Sequence, residues 1–225
     1  MGLTIDSILV EKDIVMERTP GELFAWARAK NLELSSYEEL REDVLMLKGI
    51  CRKFIQEIYP LSLIVNKLYS DRLDIGCRPN LTNENFDAQI IDYSMKPSKA
   101  HKIELTQAIE GRKDYFCRTH LARKRWAYPV GFGSIAVDTE VTVNNGLRLI
   151  AEAARGKLHK QYGKDTSLVI VFDDYSAFRT EDEVSKLKVF TQEKVLPLGL
   201  DFHKLFLLGL SGNTLLEFSC LMPTV

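Results

Sequence analysis

The sequence is poor in the features that mark specialised classes. Its four cysteines, Cys51, Cys77, Cys117 and Cys220, include no CxxC pair and no zinc-ligand spacing. That excludes a zinc ribbon and reads as scattered, reduced, structural thiols. No apolar run approaches the roughly 18 residues a membrane helix needs. The first residues show no basic flank followed by an apolar core, so no signal peptide is read. A cytoplasmic location with no membrane partner is expected. Net charge is -1 over 225 residues. No global field therefore draws the chain to nucleic acid, and any such binding must come from a local patch. Gly131-Phe132-Gly133-Ser134 is a flexible joint; a GxG with no helix at dinucleotide-site spacing is no Rossmann fingerprint. There is neither an internal repeat nor a low-complexity segment.

What is present is an ordinary core-forming composition, 45% hydrophobic and 27% charged. Residues 1–18 have no firm period and read as a short strand or loose arm. Thr19 caps a helix with Pro20 at its first position, and Leu23, Phe24, Trp26 and Ala27 form its apolar stripe. Ser36 and Glu39 have capping-box spacing. They open a helix expected to run to Tyr59 on Leu40, Val44, Leu47, Ile50, Phe54, Ile55 and Ile58, with Pro60 forcing a break or kink. Residues 61–69 are apolar nearly all round and read as buried. Residues 76–80 read as a turn.

Two short apolar runs follow, residues 86–93 and 102–106, each bearing one acid, Asp87 and Glu104. They read as a β-hairpin with the two carboxylates side by side, suited to a divalent metal; Glu57 is a candidate third carboxylate. Residues 111–133 form a basic and aromatic insert. Arg112, Lys113, Arg118, Arg123, Lys124 and Arg125 are interleaved with Tyr115, Phe116, His120, Trp126 and Tyr128. Cations serve phosphates and aromatic rings serve bases, so the insert, Trp126 included, is the candidate nucleic-acid surface, for DNA or RNA alike.

A long helix is expected over residues 145–162, ending in Lys157, Lys160 and a Gly163 cap. Residues 168–172 read as a strand buried on both faces, closed by the turn acids Asp173 and Asp174. A helix capped by Thr180 and Glu183 covers 180–195, and strands at 205–210 and 215–222 close the chain.

This order, with Glu84-Asn85-Phe86-Asp87 and Ile103-Glu104-Leu105-Thr106, resembles the PD-(D/E)XK, restriction-endonuclease-like nuclease superfamily. The match is to a bacterial branch with the pattern Glu-Arg-Pro-Asp and then Val/Ile-Glu-Val/Ile-Thr. It covers roughly residues 45–220 in element order, and is sharp only at the hairpin and at Lys157-Leu158-His159-Lys160-Gln161-Tyr162.

The resemblance implies an α/β fold, a mixed central sheet flanked by helices. That domain would span 36–225, with an N-terminal helical extension over 1–35 that has no family counterpart and is open to a dimer or protein partner. It also implies Mg²⁺ or Mn²⁺ on Asp87 and Glu104, and phosphodiester hydrolysis. The lysine expected two positions after the glutamate is Thr106, which cannot supply a cation. Lys157 is the favoured substitute, with Lys160 and Gln107 as rivals. The alternative is an inactive relative that binds nucleic acid or a protein.

Overall fold

The computed structural model describes residues 3–82, 84–124 and 139–220, without the side chains of residues 123 and 124. The fold is mixed α/β, a six-stranded mixed sheet flanked by helices. Among the described residues no helix is long and apolar enough to cross a membrane. The chain forms two compact units, Met1–Ala100 with Glu110–Gly133, and His101–Ile109 with Ser134–Val225.

The first unit is mostly helical. Its first described elements are α1 (Ile5–Ile8) and α2 (Glu11–Ile14), so residues 3–18 are neither a strand nor a loose arm. Their apolar residues, Ile5, Ile8, Leu9 and Ile14, are buried with Ala27, Leu34, Phe54 and Ile58, and that burial organises the segment. Helix α3 (Pro20–Ser36) starts as its sequence requires, with a reciprocal capping box between Thr19 and Glu22.

The long helix expected from Ser36 to Tyr59 does not form as one piece. Ser36 closes α3, its hydroxyl donating to the Glu33 carbonyl at 2.7 Å instead of capping a new helix. A 3₁₀ turn leads into α4 (Arg41–Leu45), and the chain then reverses through Leu47 (φ 52°) and Gly49 (φ 55°). Helix α5 (Ile50–Lys53), a π turn (Phe54–Ile58) and α6 (Tyr59–Tyr69) follow without interruption. Pro60 therefore breaks nothing. Proline lacks an N–H and its ring crowds the preceding turn. The widened π turn, closed by Tyr59 N on Phe54 O, lies directly before it and accommodates both.

Strands β1 (Ile75–Pro79) and β2 (Ala88–Asp92) pair antiparallel, with Cys77 opposite Ile90. Residues 76–80 are thus mainly strand, not turn. Turn-prone residues adopt it because β1 is paired on both sides, with β2 and with Arg18, whose N–H and C=O exchange bonds with Cys77 at 3.0 and 2.7 Å. Gly76 lets Glu17 and Tyr93 approach the strand closely, since a Cβ would lie 2.5 Å from Glu17 Oε1 and 2.9 Å from the Tyr93 ring and would displace them. Helix α7 (Gly111–Lys124) is the last described element of the unit.

The second unit carries β3 (Lys99–Ala108), α8 (Thr139–Arg155), β4 (Thr166–Phe172), α9 (Glu181–Phe190), β5 (Lys204–Gly209) and β6 (Leu215–Ser219). Strands β3, β4 and β5 run parallel and β6 closes antiparallel on β5. Every residue of β4 is buried, as its unbroken apolar run requires. Val143, Ile150, Ala151 and Ala154 of α8 join Leu168, Ile170, Leu205 and Leu207 in one core. The capping box of α9 forms on Thr180 and Glu183.

Helix α8 begins earlier and ends sooner than its apolar pattern suggests. It stops at Arg155, where Lys157 N bonds to Ala154 O and Leu158 N to Arg155 O, tightening the end into i, i+3 turns. Lys157 and Lys160 therefore lie beyond the helix. Gly163 (φ 85°) sits in the connection to β4, not at the helix cap.

Candidate active site around Glu104

Glu104 lies in the middle of β3, in register with Leu168 of β4. Ile103 and Leu105 alternate with it onto the opposite face of the strand. Its face carries the apolar core under α8, so a carboxylate here needs a partner. Only 7% of the residue is exposed.

The partner is Lys157. Its Nζ donates to Glu104 Oε1 at 2.6 Å, and the Tyr162 hydroxyl donates to the same oxygen at 3.2 Å. The Lys157 side chain is 18% exposed, so a cation is held at the edge of the core beside a buried anion. The early end of α8 makes this geometry: the irregular residues after Arg155 return Lys157 to the sheet. Tyr162 is fixed independently. Its ring stacks on Phe202 at 4.5 Å between centroids, and its carbonyl accepts from Thr166 Oγ1 at 2.9 Å.

The remaining candidates are spread over both units. Thr106 and Gln107 are half-buried on β3, on alternate faces, and Lys160 is exposed in the segment after α8. Asp87 lies in the first unit, at a bend just before β2, with its carbonyl accepting from Asn80 N at 2.8 Å. Glu57, also in the first unit, lies in the π turn and is paired with Lys53 at 3.3 Å. Among the described residues no group of three or more His, Cys, Asp or Glu is placed to hold a metal ion.

Of the basic residues, Arg112 and Lys113 are exposed on α7, and Lys113 pairs with Glu110 at 2.9 Å. Arg118 is used internally, bonded to Asp114 at 2.6 Å and to the Leu45 carbonyl at 3.4 Å. Arg123 and Lys124 end the helix, and Arg125 and Trp126 lie outside the described residues.

Sequence reasoning left Tyr162 without a role. Its signal was weak: an aromatic beside a glycine, with nothing in the local pattern to point it at a carboxylate 58 positions earlier. It also missed the joining of His101 Nε2 and Ser167 Oγ at 2.8 Å, with the His203 ring edge-on to His101 at 5.6 Å. Burial pushes the thiols of Cys51 and Cys220 up to about 11 and that of Cys77 up to about 12. They are poor nucleophiles, and the cysteines are free, as scattered spacing implied.

No protein-family model, no curated protein and no solved structure matches this chain.

Proposed function

We propose that this protein is a metal-dependent nuclease that hydrolyses phosphodiester bonds in nucleic acid, with Glu104 and Lys157 as its central pair. The observation that carries the reading is the 2.6 Å contact between the Lys157 ammonium and the Glu104 carboxylate. Threonine at position 106 leaves the sequence pattern without its cation, and Lys157 supplies one beside the glutamate from elsewhere in the chain.

The fit to a divalent ion rests on donor chemistry. Mg²⁺ and Mn²⁺ favour hard oxygen ligands, and Mg²⁺ is often held by one or two carboxylates with water and substrate phosphate completing the shell. Glu104 is a hard oxygen donor of that kind, placed at the edge of the core. The Asp87 carboxylate is the second ligand named by the sequence pattern. When bound, such an ion supplies an activated water and neutralises charge on the phosphate.

The chain's own groups have separate tasks. Lys157 places its amino group beside Glu104 in partly desolvated surroundings, where a cation acts more strongly on a phosphate anion than it would in water. Tyr162 fixes the orientation of the carboxylate. Thr106 is a hydroxyl donor on the same face of β3.

A second reading has its own support. Glu104 is satisfied by Lys157 and Tyr162, as a purely structural ion pair would be, and a nuclease-like fold that only binds nucleic acid or a protein fits that equally.

The deciding experiment measures Mn²⁺ binding by calorimetry and cleavage of labelled DNA and RNA with Mg²⁺ or Mn²⁺. The nuclease reading expects metal uptake, and a fall in cleavage of at least about 100-fold in Glu104→Gln, on the scale of a lost electrostatic contribution. Asp87→Ala tests the second carboxylate. Absence of metal uptake with unchanged melting behaviour selects the binding-only reading.

A further inference from the structure

We propose that the outward face of α7 is a platform for single-stranded nucleic acid, with Tyr115 and Phe116 stacking on bases and Arg112 and Lys113 neutralising phosphates. The proposal deepens the nuclease reading and rests on it for the class of ligand.

Helix α7 has two different faces. Along one, Arg118 is bonded to Asp114 at 2.6 Å and to the Leu45 carbonyl beside α4 at 3.4 Å, while Arg41 Nη2 donates to the Leu121 carbonyl at 3.4 Å. These bonds dock the helix within its own unit, and they remove Arg118 from the set of available cations. The other face is turned to solvent. Tyr115 is 63% exposed and Phe116 46%. Arg112 precedes them by three and four positions and shares their side of the helix; Lys113 precedes Phe116 by three and flanks that ring, in an exposed pair with Glu110 at 2.9 Å that a phosphate can compete for. The Phe116 ring lies 4.4 Å from that of His120, which extends the aromatic surface by another turn.

Burial does not explain this arrangement. If the two rings served packing, they would lie on the docked side with Arg118. They lie instead on the exposed side, next to cations. The charges suit a polyanion: with the Arg118–Asp114 pair set aside, residues 110–124 carry four basic residues against Glu110.

The aromatic rings select the form of that polyanion. In a duplex the base faces are already stacked on one another, whereas an unpaired base offers a free face to a ring. Stacking and phosphate contacts carry no base code, so recognition is sequence-tolerant. Ribose and deoxyribose strands share the chemistry used.

The test is fluorescence anisotropy with end-labelled oligo-dT, oligo-U and a duplex, each of about 12 nucleotides. The full chain is used in EDTA, so that cleavage plays no part. Single strands are expected to bind about tenfold or more tighter than the duplex. Tyr115→Ala/Phe116→Ala should weaken single-strand binding by about tenfold or more, given the usual scale of base–aromatic stacking. Both rings are exposed, so thermal melting should not change. Arg112→Ser/Lys113→Ser should reduce the slope of log affinity against log salt by about 1.4, for two single-strand phosphate contacts.

Equal affinity for duplex and single strand, no binding to any probe, or indifference to the aromatic substitutions each overturns the proposal. So does loss of a dimer in sedimentation on Tyr115→Ala/Phe116→Ala, which would make this face a contact between copies. Failure here is distinguishable from failure of the nuclease reading. Binding in EDTA without cleavage in Mg²⁺ removes the enzyme and keeps the platform; cleavage that Glu104→Gln abolishes, with binding indifferent to α7, does the reverse.

Discussion

Among the described residues of the second unit two carboxylates are buried, Glu104 in mid-β3 at 7% exposure and Asp174 just past β4 at 8%. They differ in what surrounds them. Asp174 is held by neutral donors: Ser211 N at 2.8 Å on one oxygen and the Ser211 hydroxyl at 2.5 Å on the other. Gly209, at the end of β5, leaves it space, since a Cβ there would fall 2.0 Å from Asp174 Oδ2. The acid therefore braces the turn between β5 and β6 against the end of β4. Glu104 is held by a cation, with a phenol on the same oxygen. A braced turn needs only hydrogen bonds. A cation brought 53 positions along the chain to a strand interior is a more specialised arrangement, and it is what recommends Glu104 over Asp174 as a working residue.

The largest expected effect comes from leaving the Glu104 charge without its partner. Lys157→Met should destabilise the protein by about 3–5 kcal/mol, as removing one half of a buried pair does, measured by urea unfolding. Lys157→Met combined with Glu104→Gln should recover much of that loss, because the buried charge is gone. If the single substitution costs less than about 1 kcal/mol, the pair behaves as a surface salt bridge and the contrast with Asp174 disappears.

Gly209→Ala should cost about 1–3 kcal/mol, typical of overpacking. In an Asp174→Ala background the same change should cost clearly less, because the clashing oxygen is absent. Additive effects would show that the new methyl meets something else, and that Asp174 is not the brace.

Tyr162→Phe should have the smallest effect, about 1 kcal/mol for one hydrogen bond, with the ring still stacked on Phe202. Its use is to sharpen the role of Glu104. On the nuclease reading, cleavage should fall by more than the stability change explains, since an unfixed carboxylate is a misplaced one. A purely structural tyrosine would change melting and leave cleavage per folded molecule untouched.

Much of the fold was legible from local pattern. The cap at Thr19, the capping box at Thr180, the buried run of β4 and the apolar face of α8 all carry their signals within a few residues. The misreadings share a cause. Ser36 had the right spacing to cap a helix, yet its hydroxyl bonds back to Glu33, because a local bond competes with the cap. Residues 76–80 looked like a turn and became β1, since strand character there comes from partners on either side, not from propensity. Pro60 looked like a break or a kink, and the helical run continues through it, because the π turn before it absorbs what proline removes.

The candidate site divides along the same line. Glu104 was visible as an acid inside an apolar run, and Lys157 as a cation near a helix end, each from its own neighbourhood. That the two meet at 2.6 Å depends on α8 ending at Arg155 and on the parallel pairing of β3 with β4. The sequence by itself determined which segments bury and with what period, because side-chain polarity and spacing act locally. The tertiary structure alone decided which cation neutralises which acid. That choice depends on chain reversal and strand order between residues dozens of positions apart, and no local pattern encodes it.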